Sequence, residues 1–176
     1  MKISEIPQFV YCPTNGVMMD FDEIQGVLER FTRSYGLDLN PDFQRGHVWN
    51  QTHKEKFIEF LLQGGAVPPI RFNSPVFGGN PRARNSDLGD EVVLVDGKQR
   101  LTACREFISG QVKAFGHTIN EFEDSYLILR KLNIQYIVNK LQTRKELLKW
   151  YLEMNSGAIA HSEEELNKVR DMLEKL

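Results

Sequence analysis

Glu91-Val92-Val93-Leu94-Val95-Asp96-Gly97-Lys98-Gln99-Arg100-Leu101-Thr102 is the stretch on which the reading of this chain turns. Its continuous apolar, β-branched run reads as a buried strand. The polar Asp-Gly-Lys-Gln-Arg that follows opens a helical spacing carried by Leu101, Cys104, Phe107 and Ile108. Strand, tight turn and helix therefore succeed one another directly. A helix N-terminus leaves backbone N–H groups unpaired and carries partial positive charge, so Gly97, Lys98 and Gln99 are placed to present an anion site reinforced by Lys98 and Arg100. Glycine at position 97 admits a ligand close to the backbone. Asp96 and Gln99 also stand three apart, the spacing of a capping box, in which case the helix start closes on itself. The local pattern leaves both uses open.

The rest of the chain bounds what such a turn serves. A length of 176 residues with 41% hydrophobic and 26% charged residues suits one soluble domain over 1–176, with a helical C-terminal part over 142–176. Against 24 acidic residues stand 22 basic ones, a net charge of −2, so no overall pull toward nucleic acid or membrane is expected and any phosphate binding must be local. Cys12 and Cys104 make no disulfide framework, and Cys104 falls on the apolar stripe of its helix, which favours a reduced thiol and a cytoplasmic setting. Met1-Lys2-Ile3-Ser4-Glu5 lacks the apolar core of a signal peptide, and no stretch approaches the roughly 18 apolar residues of a membrane span. Neither export nor membrane insertion is expected.

Upstream, Phe9-Val10-Tyr11 reads as a short strand followed by a Pro-Thr-Asn-Gly turn. From Asp20 the spacing turns helical, with Ile24, Val27, Leu28 and Phe31 on one face, Asp20 and Glu23 as a capping box, and Gly36 at the end. Pro41-Asp42-Phe43-Gln44-Arg45-Gly46-His47-Val48-Trp49 has no clear period. It reads either as a loop lining a cleft or as one whose Phe43 and Trp49 plug the core while Arg45 makes a structural hydrogen bond. Thr52 and Glu55 are spaced to cap a helix bearing Phe57, Ile58, Leu61 and Leu62, which Gly64-Gly65 stops; Ile70-Arg71-Phe72 then extends. Residues 73–90 read as a mobile loop between two paired strands, where Arg82 and Arg84 either meet a polyanion or are simply solvated.

Beyond the central unit, Gly110 ends the helix and Val112 to Ile119 form a short hairpin around Phe115-Gly116-His117. Phe122 to Leu132 fits neither period clearly, and Asn133 to Val138 alternates as a strand. Thr143 with Glu146 caps a helix carrying Leu147, Leu148, Tyr151 and Leu152. Ser162 with Glu165 caps a last one with Leu166, Val169 and Leu173, and Asn155-Ser156-Gly157 between them serves as a C-cap or a ligand contact. The 4 histidines, His47, His53, His117 and His161, lack metal-ligand spacing and no Cys-x-x-Cys occurs, which argues against structural zinc. Neither a phosphate loop of the G-x-x-x-x-G-K-[ST] type nor a G-x-S-x-G elbow is present.

In order, Pro41-Asp42-Phe43-Gln44-Arg45 with Trp49, Val95-Asp96-Gly97-Lys98-Gln99-Arg100-Leu101-Thr102, and Asn155-Ser156-Gly157 followed by Ser162 to Leu166 resemble the DGQQR-box family of ParB-like domains. This is the domain-of-unknown-function family 262, which includes the N-terminal half of the GmrSD type IV restriction enzymes. The resemblance implies an α/β (α+β) fold of the ParB/sulfiredoxin-like kind, a small mixed sheet with flanking helices and a nucleotide-phosphate cleft at the DGQQR turn. It further implies a Mg2+-dependent NTPase linked to restriction of foreign DNA or phage defence. Carried over by position, Asp96, Gln99 and Arg100 are the catalytic candidates, with Asp96 the metal ligand. Gln44, Arg45, Gly97, Lys98, Thr102 and Asn155 are the nucleotide- and phosphate-binding ones. Arg100 and Arg45 suit bidentate contact with phosphate oxygens, and Asp96 suits a magnesium ion or an oriented water.

This sequence departs from the family pattern in two ways. Lys98 stands where the name motif has glutamine, keeping a donor and adding charge but losing an acceptor. The His-Asn-His nuclease cluster of the family's restriction enzymes is absent from these residues, so DNA cleavage is expected to need a separate nuclease or effector partner, or the ParB-like domain itself. On this basis Arg100→Ala is expected to abolish nucleotide binding and leave the fold intact. The alternative is a non-catalytic module of the same fold that binds DNA or a protein through its cleft or the loop from Pro75 to Asp90.

Overall fold

Alternation along Val92-Val93-Leu94-Val95 sends side chains to both faces of a sheet: Val92 and Leu94 join the larger core, while Val93 and Val95 meet the smaller one. A strand apolar on both faces has to be internal, and it is. The computed structural model describes residues 16–44, 46, 48–79, 86–155 and 163–176. Within them the elements run β1 (Val17–Asp20), a short 3-10 turn (Phe21–Glu23), α1 (Ile24–Tyr35), β2 (Leu37–Asp38), α2 (Gln51–Leu62), β3 (Ile70–Asn73), β4 (Val92–Asp96) and α3 (Lys98–Ile108). A second 3-10 turn (Ile119–Glu121), α4 (Ser125–Lys131), β5 (Asn133–Asn139), α5 (Arg144–Asn155) and α6 (Glu163–Glu174) complete the order.

The 5-stranded sheet has the order β1-β5-β3-β4-β2. β3 is antiparallel to β4 and parallel to β5, β1 is antiparallel to β5, and β2 is parallel to β4, so the sheet is mixed, as the α+β reading requires. One face packs on α1, α2 and α3 through Ile24, Phe31, Ile58, Leu101 and Phe107. Lys54 of α2 reaches Glu106 of α3 at 2.6 Å and ties two of those helices together. On the other face Phe43 and Val95 pack with Leu147, Trp150 and Tyr151 of α5 and Val169 of α6.

Where the spacing of apolar residues decides, expectation and structure agree. The α1 stripe Ile24, Val27, Leu28 and Phe31 is buried, α3 buries Leu101, Cys104 and Phe107, and the 73–90 loop does join two antiparallel strands. Ala114 and His117 close the short hairpin on each other. The unassigned piece from Phe122 to Leu132 contains α4. β1, which no alternation announced, is held by its pairing with β5.

Caps are the main correction. Asp20 precedes a 3-10 turn without a side-chain cap bond, and Asn50, whose side chain accepts from the His53 N–H at 2.9 Å, caps α2 in place of Thr52. Asp96 and Gln99 form no capping box either, because α3 starts from Gly97 with no side-chain cap. Of the capping pairs expected at described helix starts, Thr143 and Glu146 bond reciprocally, at 3.2 and 3.1 Å. The Phe9-Val10-Tyr11 strand and the Ser162 cap lie outside the described residues, as do Cys12, Arg82 and Arg84. Burial raises the Cys104 thiol to about 12 against the opposing pull of the Arg100 charge, so it remains protonated and inert.

Candidate functional site at the end of strand four

β4 turns into α3 through a single left-handed residue, Gly97, at φ 96° and ψ 14°. A side chain there would bring its Cβ to 2.5 Å from Ile70 Cδ1 and 3.3 Å from the Arg100 guanidinium. Glycine is thus required by backbone conformation and by packing against Ile70 and Arg100.

Arg100 is committed to the protein. Its Nη2 donates to Asp96 Oδ2 at 2.7 Å, and its Nη1 donates to the carbonyls of Pro68 and Pro69, the latter at 3.4 Å. The guanidinium latches the segment that leads into β3 onto the turn that leaves β4. Side-chain exposure is 13% for Arg100 and 35% for Asp96, so the arginine stands behind and the carboxylate in front. These contacts give Arg100→Ala a stability cost that the sequence did not announce.

Gln99 is buried and bonded in three directions. Its Oε1 accepts from the N–H groups of Val48 and Trp49 at 3.2 and 3.1 Å, and its Nε2 donates to the Gly46 carbonyl at 3.1 Å. Gln44 makes the complementary contact, donating from Nε2 to the Leu94 carbonyl at 2.8 Å. The two glutamines staple Gln44, Gly46, Val48 and Trp49 to the end of β4 and the start of α3. Phe43 goes into the core, edge-on to Tyr151 with centroids 5.2 Å apart, and Trp49 lies half-buried on Phe57 at 5.2 Å. The core-plug reading is therefore right for Phe43, and Arg45 and His47 lie outside the described residues.

The third motif is joined to the other two through Tyr151, whose carbonyl accepts from the buried Asn155 amide at 2.6 Å. Asn155 serves as a C-terminal anchor of α5; Ser156 and Gly157 are not described. Lys98 is half-buried at the first position of α3. Thr102 departs from the group: it lines a separate cleft of about 460 Å³ with Phe21, Gln25, Arg105 and Glu106, and none of Asp96 to Arg100 borders that cleft.

One residue at this end of the sheet escaped the sequence reading. Arg71 lies on β3, between β4 and β5, with Asp96 and Ile137 as its register partners. Regular pairing from Phe72 and Leu94 would set Arg71 opposite Val95; a register shift between Arg71 and Phe72 sets it opposite Asp96. A charged residue inside the alternating run Ile70-Arg71-Phe72 was the available signal.

The model of the GmrSD restriction endonuclease N-terminal domain matches residues 24–176. The chain belongs to that family. The match takes in every element from α1 to α6, so the Asp96–Arg100 turn and the segments stapled to it are parts of a restriction- or defence-related module. No curated protein and no solved structure matches the chain. No helix among the described residues is long and apolar enough to cross a membrane.

Proposed function

We propose that this module binds a nucleoside triphosphate at the Asp96–Arg100 turn and hydrolyses it with magnesium, as the nucleotide-dependent part of a DNA-restriction or phage-defence system with a ParB-like mode of binding. The observation that carries the reading is the pairing of an eleven-residue helix that starts without a side-chain cap with a carboxylate, Asp96, held from behind by Arg100 and still 35% exposed. Magnesium is commonly held by one or two carboxylates plus substrate phosphates, and Asp96 supplies one such ligand; among the described residues no group of three or more His, Cys, Asp or Glu is gathered for a metal. When bound, the ion neutralises phosphate charge. Asp96 touches the reacting end, Gln99 and Arg100 are positioning residues that fix the turn, Lys98 borders the nucleotide, and Gln44 and Asn155 support the segments around it. Thr102, on its separate cleft, has no part in this reading.

Phosphate release from ATP, GTP, CTP and UTP with and without magnesium tests it. At least one nucleotide is expected to be hydrolysed only with the ion, and Asp96→Asn, which keeps a hydrogen-bonding partner for Arg100, is expected to lower the rate about 100-fold or more. An Asp96→Asn rate equal to the parent's would remove Asp96 from the chemistry.

A second reading has its own observation. Gln99 and Arg100 hold protein groups, so the turn also suits a purely structural latch in a non-catalytic module that contacts DNA or a separate effector protein. DNA affinity that falls steeply with salt and requires Arg82 and Arg84 would favour that reading, as would the absence of nucleotide binding under every condition.

A further inference from the structure

Arg100 was the arginine expected to grip phosphate, yet its donors go to Asp96 and to two carbonyls. Arg71 differs from it in the element it comes from and in its partners. It sits on β3, which lies inside the sheet between β5 and β4, where a charged side chain is costly unless it is compensated. It is half-buried, and among the described residues its guanidinium has neither a hydrogen bond nor an ion pair.

Register gives this cation its setting. The shift sets the Arg71 backbone opposite Asp96 instead of Val95, at the turn where β4 passes into α3. The Asp96 carboxylate already has a counter-charge in Arg100 at 2.7 Å. Asp96 and Arg100 neutralise each other, and Arg71 is left as surplus positive charge next to the start of α3, whose first residue is Lys98. The smaller core covers this face over Val93 and Val95 of β4, whereas Gln135 and Ile137 of β5 beside Arg71 are half-buried and Met18 of β1 is exposed. The guanidinium thus stands at the margin of the covered region, within reach of an anion.

We propose that Arg71 is the residue that binds the phosphate chain of the nucleotide, and that Arg100 is a positioning residue for Asp96 and for the entry of β3. This rests on the nucleotide-binding reading above. The fork of a guanidinium takes two phosphate oxygens at once, which a lysine cannot reproduce.

The test is titration calorimetry of the parent, Arg71→Ala and Arg71→Lys with Mg2+ complexes of ATP, GTP, CTP and UTP, and with inorganic tripolyphosphate, alongside thermal unfolding of each free protein. For the nucleotide the parent binds best, Arg71→Ala is expected to raise Kd about tenfold to a hundredfold, with tripolyphosphate weakened by a similar factor, and Arg71→Lys to lie between. The free variants are expected to unfold close to the parent. Unchanged affinity in Arg71→Ala would overturn the role of Arg71 while leaving the nucleotide site standing. Weakening of nucleotide but not of tripolyphosphate would overturn the phosphate assignment. Loss of the fold in Arg71→Ala together with full affinity in Arg71→Lys would make Arg71 structural. A parent that binds none of these ligands would overturn the nucleotide reading and this inference with it.

Discussion

Two arginines stand near the end of β4, and only one of them is bonded to Asp96. Arg100 comes from the first turn of α3 and is bonded on both arms to the protein, whereas Arg71 comes across the sheet from β3 and has no protein partner among the described residues. The same division runs through the whole turn. Gln99 and Arg100 face inward and hold the chain together; Asp96 and Arg71 retain capacity for something else. A motif of this kind has to do both jobs, because groups that meet a ligand must be held by groups that do not.

The sharpest way to break that contrast is to remove each arginine in turn and measure thermal stability without ligand. Arg100→Ala leaves Asp96 without its counter-charge and the Pro68 and Pro69 carbonyls without a donor; a loss of about 3 kcal/mol is expected. The corresponding change at Arg71 is expected to cost well under 1 kcal/mol, since no hydrogen bond or ion pair to a described residue is lost. Equal losses would abolish the distinction. Next in size is Gln99→Ala, which strips an acceptor from the Val48 and Trp49 N–H groups and a donor from the Gly46 carbonyl; about 2 kcal/mol is expected from urea unfolding. Gly97→Ala follows at about 1–3 kcal/mol, combining a left-handed backbone with a Cβ pressed on Ile70. A Gly97→Ala protein as stable as the parent would mean that Ile70 and Arg100 can withdraw, and the packing argument for glycine would fail.

How far the sequence carried depended on the range of the interaction. β4 and α3 were legible because apolar spacing is local; the Asp96–Arg100 ion pair, though it joins residues only four apart, was not anticipated. Gln99 looked like a capping or catalytic residue because nothing near it in sequence reveals that its partners lie about 50 positions upstream. Arg71 was hidden for the same reason: its meaning comes from a register shift against β4, a property of two strands and of neither alone. Gln44 was placed at the turn by family resemblance, and its bond to the Leu94 carbonyl supplies the physical cause.

Helix caps make the smallest and most controlled test of the inward half. The S/T-x-x-E spacing at Thr52 and Glu55 pointed to the right helix and the wrong residue, because Asn50 offers its side chain two positions earlier and its carbonyl already accepts the Lys54 N–H at 3.2 Å. Asn50 immediately follows Trp49, whose own N–H is held by Gln99, so the cap of α2 and the staple across the turn act on adjacent residues. Asn50→Ala is expected to cost about 1 kcal/mol and Thr52→Ala to stay within about 0.5 kcal/mol. Combined with Gln99→Ala, the cap change tests whether the two share one structural unit. A double variant whose loss departs from the sum of the single losses by more than about 0.5 kcal/mol would couple α2 to the turn, while strict additivity would confine the inward half to the loop that Gln99 holds.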